Sequence, residues 1–171
     1  MVRSIWWRIT IPYIVILLLA TLGLTLYLSA EVRTARLDDL ERHLLDGATL
    51  MANDLAGLLD QETSSSALDD KARRWAGLIG QRVTIIAADG TVLGESHTDY
   101  TQMENHLYRS EVQKALSAGS GTASRYSQTL QRRVMYAAVA VMGMDGPVGV
   151  VRVALPIEEI EANVNRLNRT L

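Results

Sequence analysis

His97, Asp99, Glu104 and His106 fall within ten residues of one another. Two imidazoles and two carboxylates are a set that zinc or another first-row metal accepts. Their spacing, however, matches no helix-borne or hairpin metal motif. Thr101 and Glu104 stand in a capping-box relation and turn-forming residues surround them, so 97–107 reads as a solvated loop rather than a metal centre. No metal or other cofactor is expected. Arg152, inside an apolar stretch, is expected to pair with a carboxylate rather than to bind a substrate. The absence of Cys removes disulfide and thiolate chemistry. There is no local Ser-His-Asp signature and no Gly-rich phosphate loop, so no enzymatic activity is expected.

What must position any site begins with an uncharged run of twenty-two residues, Ile9 to Ala30, flanked by Arg3 and Arg8 before it and by Glu31, Arg33 and Arg36 after it. At about 1.5 Å per residue such a helix spans a hydrocarbon core of roughly 30 Å. The apolar core is longer than that of a cleaved signal peptide, and Leu28-Ser29-Ala30 places a bulky Leu where a cleavage site needs a small residue, so the run reads as an uncleaved anchor. Arg3, Trp6, Trp7 and Arg8 at one end and Tyr27 at the other fit the interfacial belts in contact with lipid. The basic flank predicts a cytoplasmic N-terminus in a bacterial inner membrane, with Glu31 onward periplasmic or extracellular. Val134 to Leu155 is also apolar, but Asp145, Gly146 and Pro147 read as a turn between two strands rather than the middle of a second span.

The outer portion carries 15 basic and 19 acidic residues, a net charge of −4, and no nucleic-acid partner is implied. Leu37, Leu40, Leu44, Ala48, Met51, Leu55 and Leu58 recur every three or four residues over 31–60, a helical stripe that serves either as the seam of a helical pair or as a face laid on the domain's own sheet. Ser66 and Asp69 mark a helix start before 71–80. Strands are expected at 83–88 and 91–96, joined by an Asp89-Gly90 hairpin, and at 122–129, 133–142 and 148–155, the last two central because both their faces are apolar. A short helix over 111–117, starting at Ser110 with Gln113, stops at Gly119, and Pro156 opens a final helix to Leu171. The fold class is α+β: a cytoplasmic stub 1–8, a transmembrane helix 9–30, a long helix 31–60, a domain 61–155 with a five-stranded antiparallel sheet and helices on one side of it, and a C-terminal helix 156–171.

The run Val83 to Ser96, with Asp89-Gly90 at its turn, followed by Met103-Glu104-Asn105-His106, by Glu111 to Leu116, by Ser124 to Leu130, by Met135 to Val141 and by Gly149 to Pro156, resembles the extracytoplasmic Cache or PAS-like sensor of phosphate-regulon-type membrane histidine kinases. The resemblance covers nearly the whole chain and rests on the order of these segments. It implies a single Cache or PAS-like module, commonly dimeric, that receives a signal outside the cell. It also implies that the loop and its facing strands border a pocket, with His97, Tyr100, His106, Arg125, Tyr126 and Tyr136 on the rim for a small-molecule ligand.

Such kinases continue through a second span to a phospho-accepting His and an ATP-binding domain, whereas none of His43, His97 or His106 stands in a phospho-acceptor context. The chain is therefore expected to be a non-catalytic, single-span accessory subunit of a larger membrane complex, read as bioenergetic, such as a photosynthetic reaction centre. Its partners would be other subunits, or a second copy through the stripe of the long helix. The alternative expectation is the ligand-sensing input module of a two-component kinase, truncated before its second span.

Overall fold

A computed structural model of the chain describes residues 3–59, 64–127 and 131–157. The chain divides into two units, Met1–Leu40 and Glu41–Leu171, and helix α1, Arg3–Leu55, contributes to both. Within the first unit, Thr10–Leu28 is long and apolar enough to cross a membrane, with a mean hydropathy of 2.2 and none of its residues buried. Thr21 and Thr25 donate their hydroxyls to the carbonyls of Leu17 and Thr21, at 2.8 Å each. Those bonds satisfy two polar groups that hydrocarbon would otherwise leave stranded. Trp7 and Tyr27 are exposed; the side chains of Arg3, Trp6 and Arg8 lie outside the described residues.

The second unit is a five-stranded, wholly antiparallel sheet ordered β2-β1-β5-β4-β3. Its strands are β1 Arg82–Ala87, β2 Val92–Glu95, β3 Ser120–Ser127, β4 Arg132–Met142 and β5 Pro147–Pro156. β5 is central and β4 lies beside it, which is why both are buried on both faces. The edges are the four-residue β2 and the polar β3, a composition that discourages pairing with another chain. Pro156 ends β5 instead of opening a helix, and residues 158–171, where the final helix was expected, lie outside those described.

Helices cover both faces of the sheet, where one was expected. Ile86, Ala138 and Val150 form a buried cluster with Val112 and Ala115 of helix α3, Ser110–Ala118, which places α3 over one face. The alternate residues point the other way. There Gly94 meets helix α2, Ser65–Ile79, and Thr122 donates to Glu41 of α1 at 2.8 Å. Leu44, Met51 and Leu55 of the expected interaction stripe are 0%, 6% and 0% exposed within this unit, so they serve the domain's own core and are not free for a seam with a second copy. Leu37, Leu40 and Leu58 are half-buried.

A Cβ at Gly94 would sit 2.7–2.8 Å from backbone atoms of Leu68 and Asp69, neither of which can step aside without moving α2. Gly94→Ala is expected to cost about 2–3 kcal/mol, read as a fall of the melting temperature of about 10 °C in circular dichroism. An unchanged melting temperature would mean that α2 does not rest on that strand.

Candidate functional site

Topology decides where the site lies. β2 is at one edge of the sheet and β3 at the other, so the connection between them must cross a whole face. It does so as a loop, a 3-10 turn at Tyr100–Gln102, a second loop and α3. The second loop is docked, not merely solvated: Asn105 Nδ2 donates to the Asp89 carbonyl at 2.9 Å, and His106 N donates to the Gly90 carbonyl at 2.8 Å. Gly90 adopts a φ of 87° at the hairpin tip, and a Cβ there would strike Asn105 and Leu107.

Beside that apolar cluster, other inward-facing positions on the α3 face are polar where an ordinary core would be aliphatic. Cross-strand partners Thr84 and Glu95, Thr84 and Arg152, and Arg152 and Ala138 set one row across the sheet. Arg152 is 4% exposed, while Glu111, Glu95 and Thr84 are 0% exposed. Glu111, in the first turn of α3, takes a two-pronged grip from Arg125 of β3: Nη1 donates to Oε2 at 2.6 Å and Nη2 to Oε1 at 2.9 Å. Arg152 Nη1 reaches the same Oε1 at 3.5 Å and its Nη2 donates to Thr84 Oγ1 at 3.1 Å. Thr84 in turn donates to Glu95 Oε2 at 2.8 Å, and Arg82 Nε donates to Glu95 Oε1 at 3.0 Å. Tyr136 lies under both guanidinium groups, with its ring centre 3.9 Å from Arg125 Cζ and 5.3 Å from Arg152 Cζ.

A glycine brings α3 this close. A Cβ on Gly121 would meet the Glu111 carbonyl oxygen at 2.5 Å, so only glycine lets the first turn of α3 lie on β3 beside Arg125. Among the described residues three arginines then share two carboxylates, an excess of one positive charge. Arg152 Nε has no hydrogen-bond partner among the described residues. An unanswered buried N–H of this kind costs about 1–3 kcal/mol, so its place in the centre of the sheet calls for a reason other than stability.

Charge states follow from these contacts. Burial alone would raise the Glu111 carboxyl, but the Arg125 fork overrides it and holds the group below its ordinary 4.5. Burial pulls the Arg152 guanidinium down, against the pull of Glu111 and Glu95. His106, 5% exposed, is lowered from 6.5 to about 4, by burial first and then by the nearby Arg152 charge, so it is neutral at physiological pH. A depressed imidazole pKa means the unfolded chain binds the proton more readily. Stability is therefore expected to fall as pH drops from about 6.5 towards about 4, by about 3 kcal/mol in all, and His106→Gln should flatten that limb. Glu111 adds a second loss below pH 4.5, as its depressed carboxyl finally protonates. Denaturant midpoints measured between pH 4 and 7 check the first limb, and an identical slope in the variant would count against it.

The rim residues expected from the sequence separate. Arg125 and Tyr136 join the cluster under α3, while His106, its Nδ1 2.7 Å from the Glu104 carbonyl, is buried close enough to feel the Arg152 charge. Tyr100 lines a different cleft of about 370 Å³, together with Ser65, Val92, Thr101, Met103 and Asn105. His97 is exposed, its Nδ1 2.7 Å from Ser96 Oγ, and Tyr126 is exposed, donating to Gln131 Oε1 at 3.1 Å. Asp99 caps the 3-10 turn by accepting from Thr101 N at 3.0 Å, a role assigned above to Thr101 and Glu104. Glu111, Thr84, Glu95 and Arg82 are the members that sequence reasoning did not single out.

No family profile matches the chain, and no curated protein matches it by sequence. Solved structures do match its fold. The ligand-binding domain of the Campylobacter jejuni chemoreceptor Tlp3, in complex with 4-methylisoleucine, superposes with a TM-score of 0.62 at 17% identity, over 75% of this chain and 56% of that one. The E. coli DcuS sensor domain gives 0.61 at 11% identity, over 75% and 96%. The sensor domain of the V. cholerae histidine kinase DctB gives 0.60 at 18%, over 76% and 57%. The chain thus spans little more than half of the Tlp3 and DctB domains and nearly all of DcuS. Its fold is that of the Cache-like sensor domains of chemoreceptors and histidine kinases; the finer likeness to phosphate-regulon kinases has no counterpart among these neighbours.

Proposed function

We propose that the chain is the extracytoplasmic input module of a membrane receptor, which takes a small ligand bearing an anionic group on the α3 face of its sheet. Thr10–Leu28 crosses the inner membrane with the stub on the cytoplasmic side, and the α+β domain lies in the periplasm. The observation that carries this reading is Arg152: central, buried and, among the described residues, with one N–H unanswered in a cluster with one positive charge in excess. A position flanked by Val150, Val151 and Val153 has no packing need for a guanidinium. The fold neighbours add support, since they are sensor and ligand-binding domains, and Tlp3 is seen with isoleucine and L-valine, each of which carries a carboxylate. Nothing comparable favours an accessory subunit of a photosynthetic or other bioenergetic complex.

Thermal unfolding of the full chain in nanodiscs, screened against free amino acids, mono- and dicarboxylates and inorganic phosphate, tests the proposal. At least one of these should raise the melting temperature saturably, by several degrees, in the parent protein. A flat response to the whole panel would leave the sensing reading without a ligand and defeat it.

A further inference from the structure

The carboxylate that already fills the arginine pair belongs to the chain itself. Glu111 offers both oxygens to Arg125 and one to Arg152, with Tyr136 flooring both guanidinium groups. That is the geometry in which a free carboxylate would be held. Glu111 stands in the first turn of a nine-residue helix that follows a loop, so it can be withdrawn by moving one short element. The other carboxylate, Glu95, is fixed within a strand and bonded to Arg82 and Thr84. Arg125 is 31% exposed at its side chain, so the pair can be reached from solvent at that end.

We propose that Arg125 and Arg152 form a carboxylate-binding site of which Glu111 is the tethered resident, so that a free carboxylate binds by replacing Glu111 and releasing the start of α3 from the sheet. This rests on the sensing reading above and gives it a mechanism: occupancy is converted into movement of α3 because both cannot hold the arginines at once. The displaced Glu111 regains water at the surface, while the incoming anion keeps the two guanidinium groups compensated. No net charge enters a dry site unpaired. The resident acts as a competitor at a high effective concentration, so only ligands with contacts beyond a bare carboxylate displace it readily.

The test removes the resident and supplies a free one. Full-chain Glu111→Ala in nanodiscs is melted in sodium acetate and in sodium chloride at equal ionic strength. Acetate is expected to recover most of the lost melting temperature saturably, chloride to recover little, and Glu111→Ala/Arg125→Ala to show no acetate effect. In the parent protein the apparent affinity for acetate should be weaker than in Glu111→Ala by on the order of 100-fold. If Glu111→Ala does not fold, amide exchange in the parent decides: Gln113 and Lys114 of α3 should exchange faster as acetate is raised, and not with chloride. Equal effects of acetate and chloride, acetate recovery that survives loss of Arg125, or α3 amides indifferent to acetate would each overturn the tethered-resident assignment. A parent protein that still responds to the ligand panel in that case keeps the sensing reading, which fails only on a flat panel.

Discussion

Arg152→Met is expected to leave the domain folded, with an unfolding free energy within about 1 kcal/mol of the parent or higher, and to abolish binding of the anionic ligand. The guanidinium is 4% exposed, burial disfavours its charged form, and its Nε finds no acceptor among the described residues. Methionine occupies a similar volume without those desolvation costs, and exchanging a buried charge for a well-packed apolar residue is often neutral or stabilising by about 1–4 kcal/mol. The partners left behind are not orphaned. Glu111 keeps both bonds to Arg125, and Thr84 keeps its bond to Glu95. Stability and function therefore separate at this residue. Denaturant midpoints of parent and variant check the first half, and a loss above about 3 kcal/mol would make Arg152 a structural residue.

Glu111→Ala is expected to do the opposite to stability, costing about 3–5 kcal/mol. Among the described residues, it strips the only carboxylate from Arg125 and the nearer of two from Arg152, whose remaining hydrogen bond is to Thr84. It also loosens the grip of α3 on β3, where Gly121 allows the helix its close approach. Part of the loss is relieved because Arg125 is 31% exposed and can rotate towards water, which places the expected value at the lower end of that range. Glu111→Gln should lose nearly as much, since the amide turns one acceptor into a donor facing a guanidinium. A fall in melting temperature of about 10 °C or more checks this; a fall of only a degree or two would show that the fork is a surface pair of little worth.

Much of the fold can be read from the chain because its signals are local. Strands expected at 83–88, 91–96, 133–142 and 148–155 are observed at Arg82–Ala87, Val92–Glu95, Arg132–Met142 and Pro147–Pro156, since β-branched runs ending at Asp89-Gly90 and at Gly143 to Pro147 admit little else. Helix caps were less legible. Ser66 with Asp69 has the form of a capping box, yet α2 starts at Ser65 and Asp69 accepts instead from Glu95 N at 2.9 Å across the structure. A local spacing rule cannot see a distant donor that competes for the same oxygen. Nor can an amphipathic pattern say which face of a sheet a helix covers; that follows from strand order, which sends the β2–β3 connection over the face opposite α1 and α2.

The site itself was half visible. Arg152 was expected to pair with a carboxylate, and it does, but its partner was missed because Glu111 was read only as part of a helix start. The signal was present: Glu111, Val112 and Ala115 fall on one face of α3, and a Glu on an apolar face needs a cation beneath it. Thr84 opposite Glu95 also follows from counting outward from the Asp89-Gly90 turn, allowing for the bulge between Ile85 and Ile86. What no local pattern contains is that Arg125, from the far edge of the sheet, shares that face.

The most direct test is calorimetric titration of the full chain in nanodiscs with whichever carboxylate, amino acid or phosphate stabilises it, repeated on folded Arg152→Met. Saturable binding to the parent and none to the variant is the predicted result, and unchanged affinity in the variant would contradict an anion site built on Arg152.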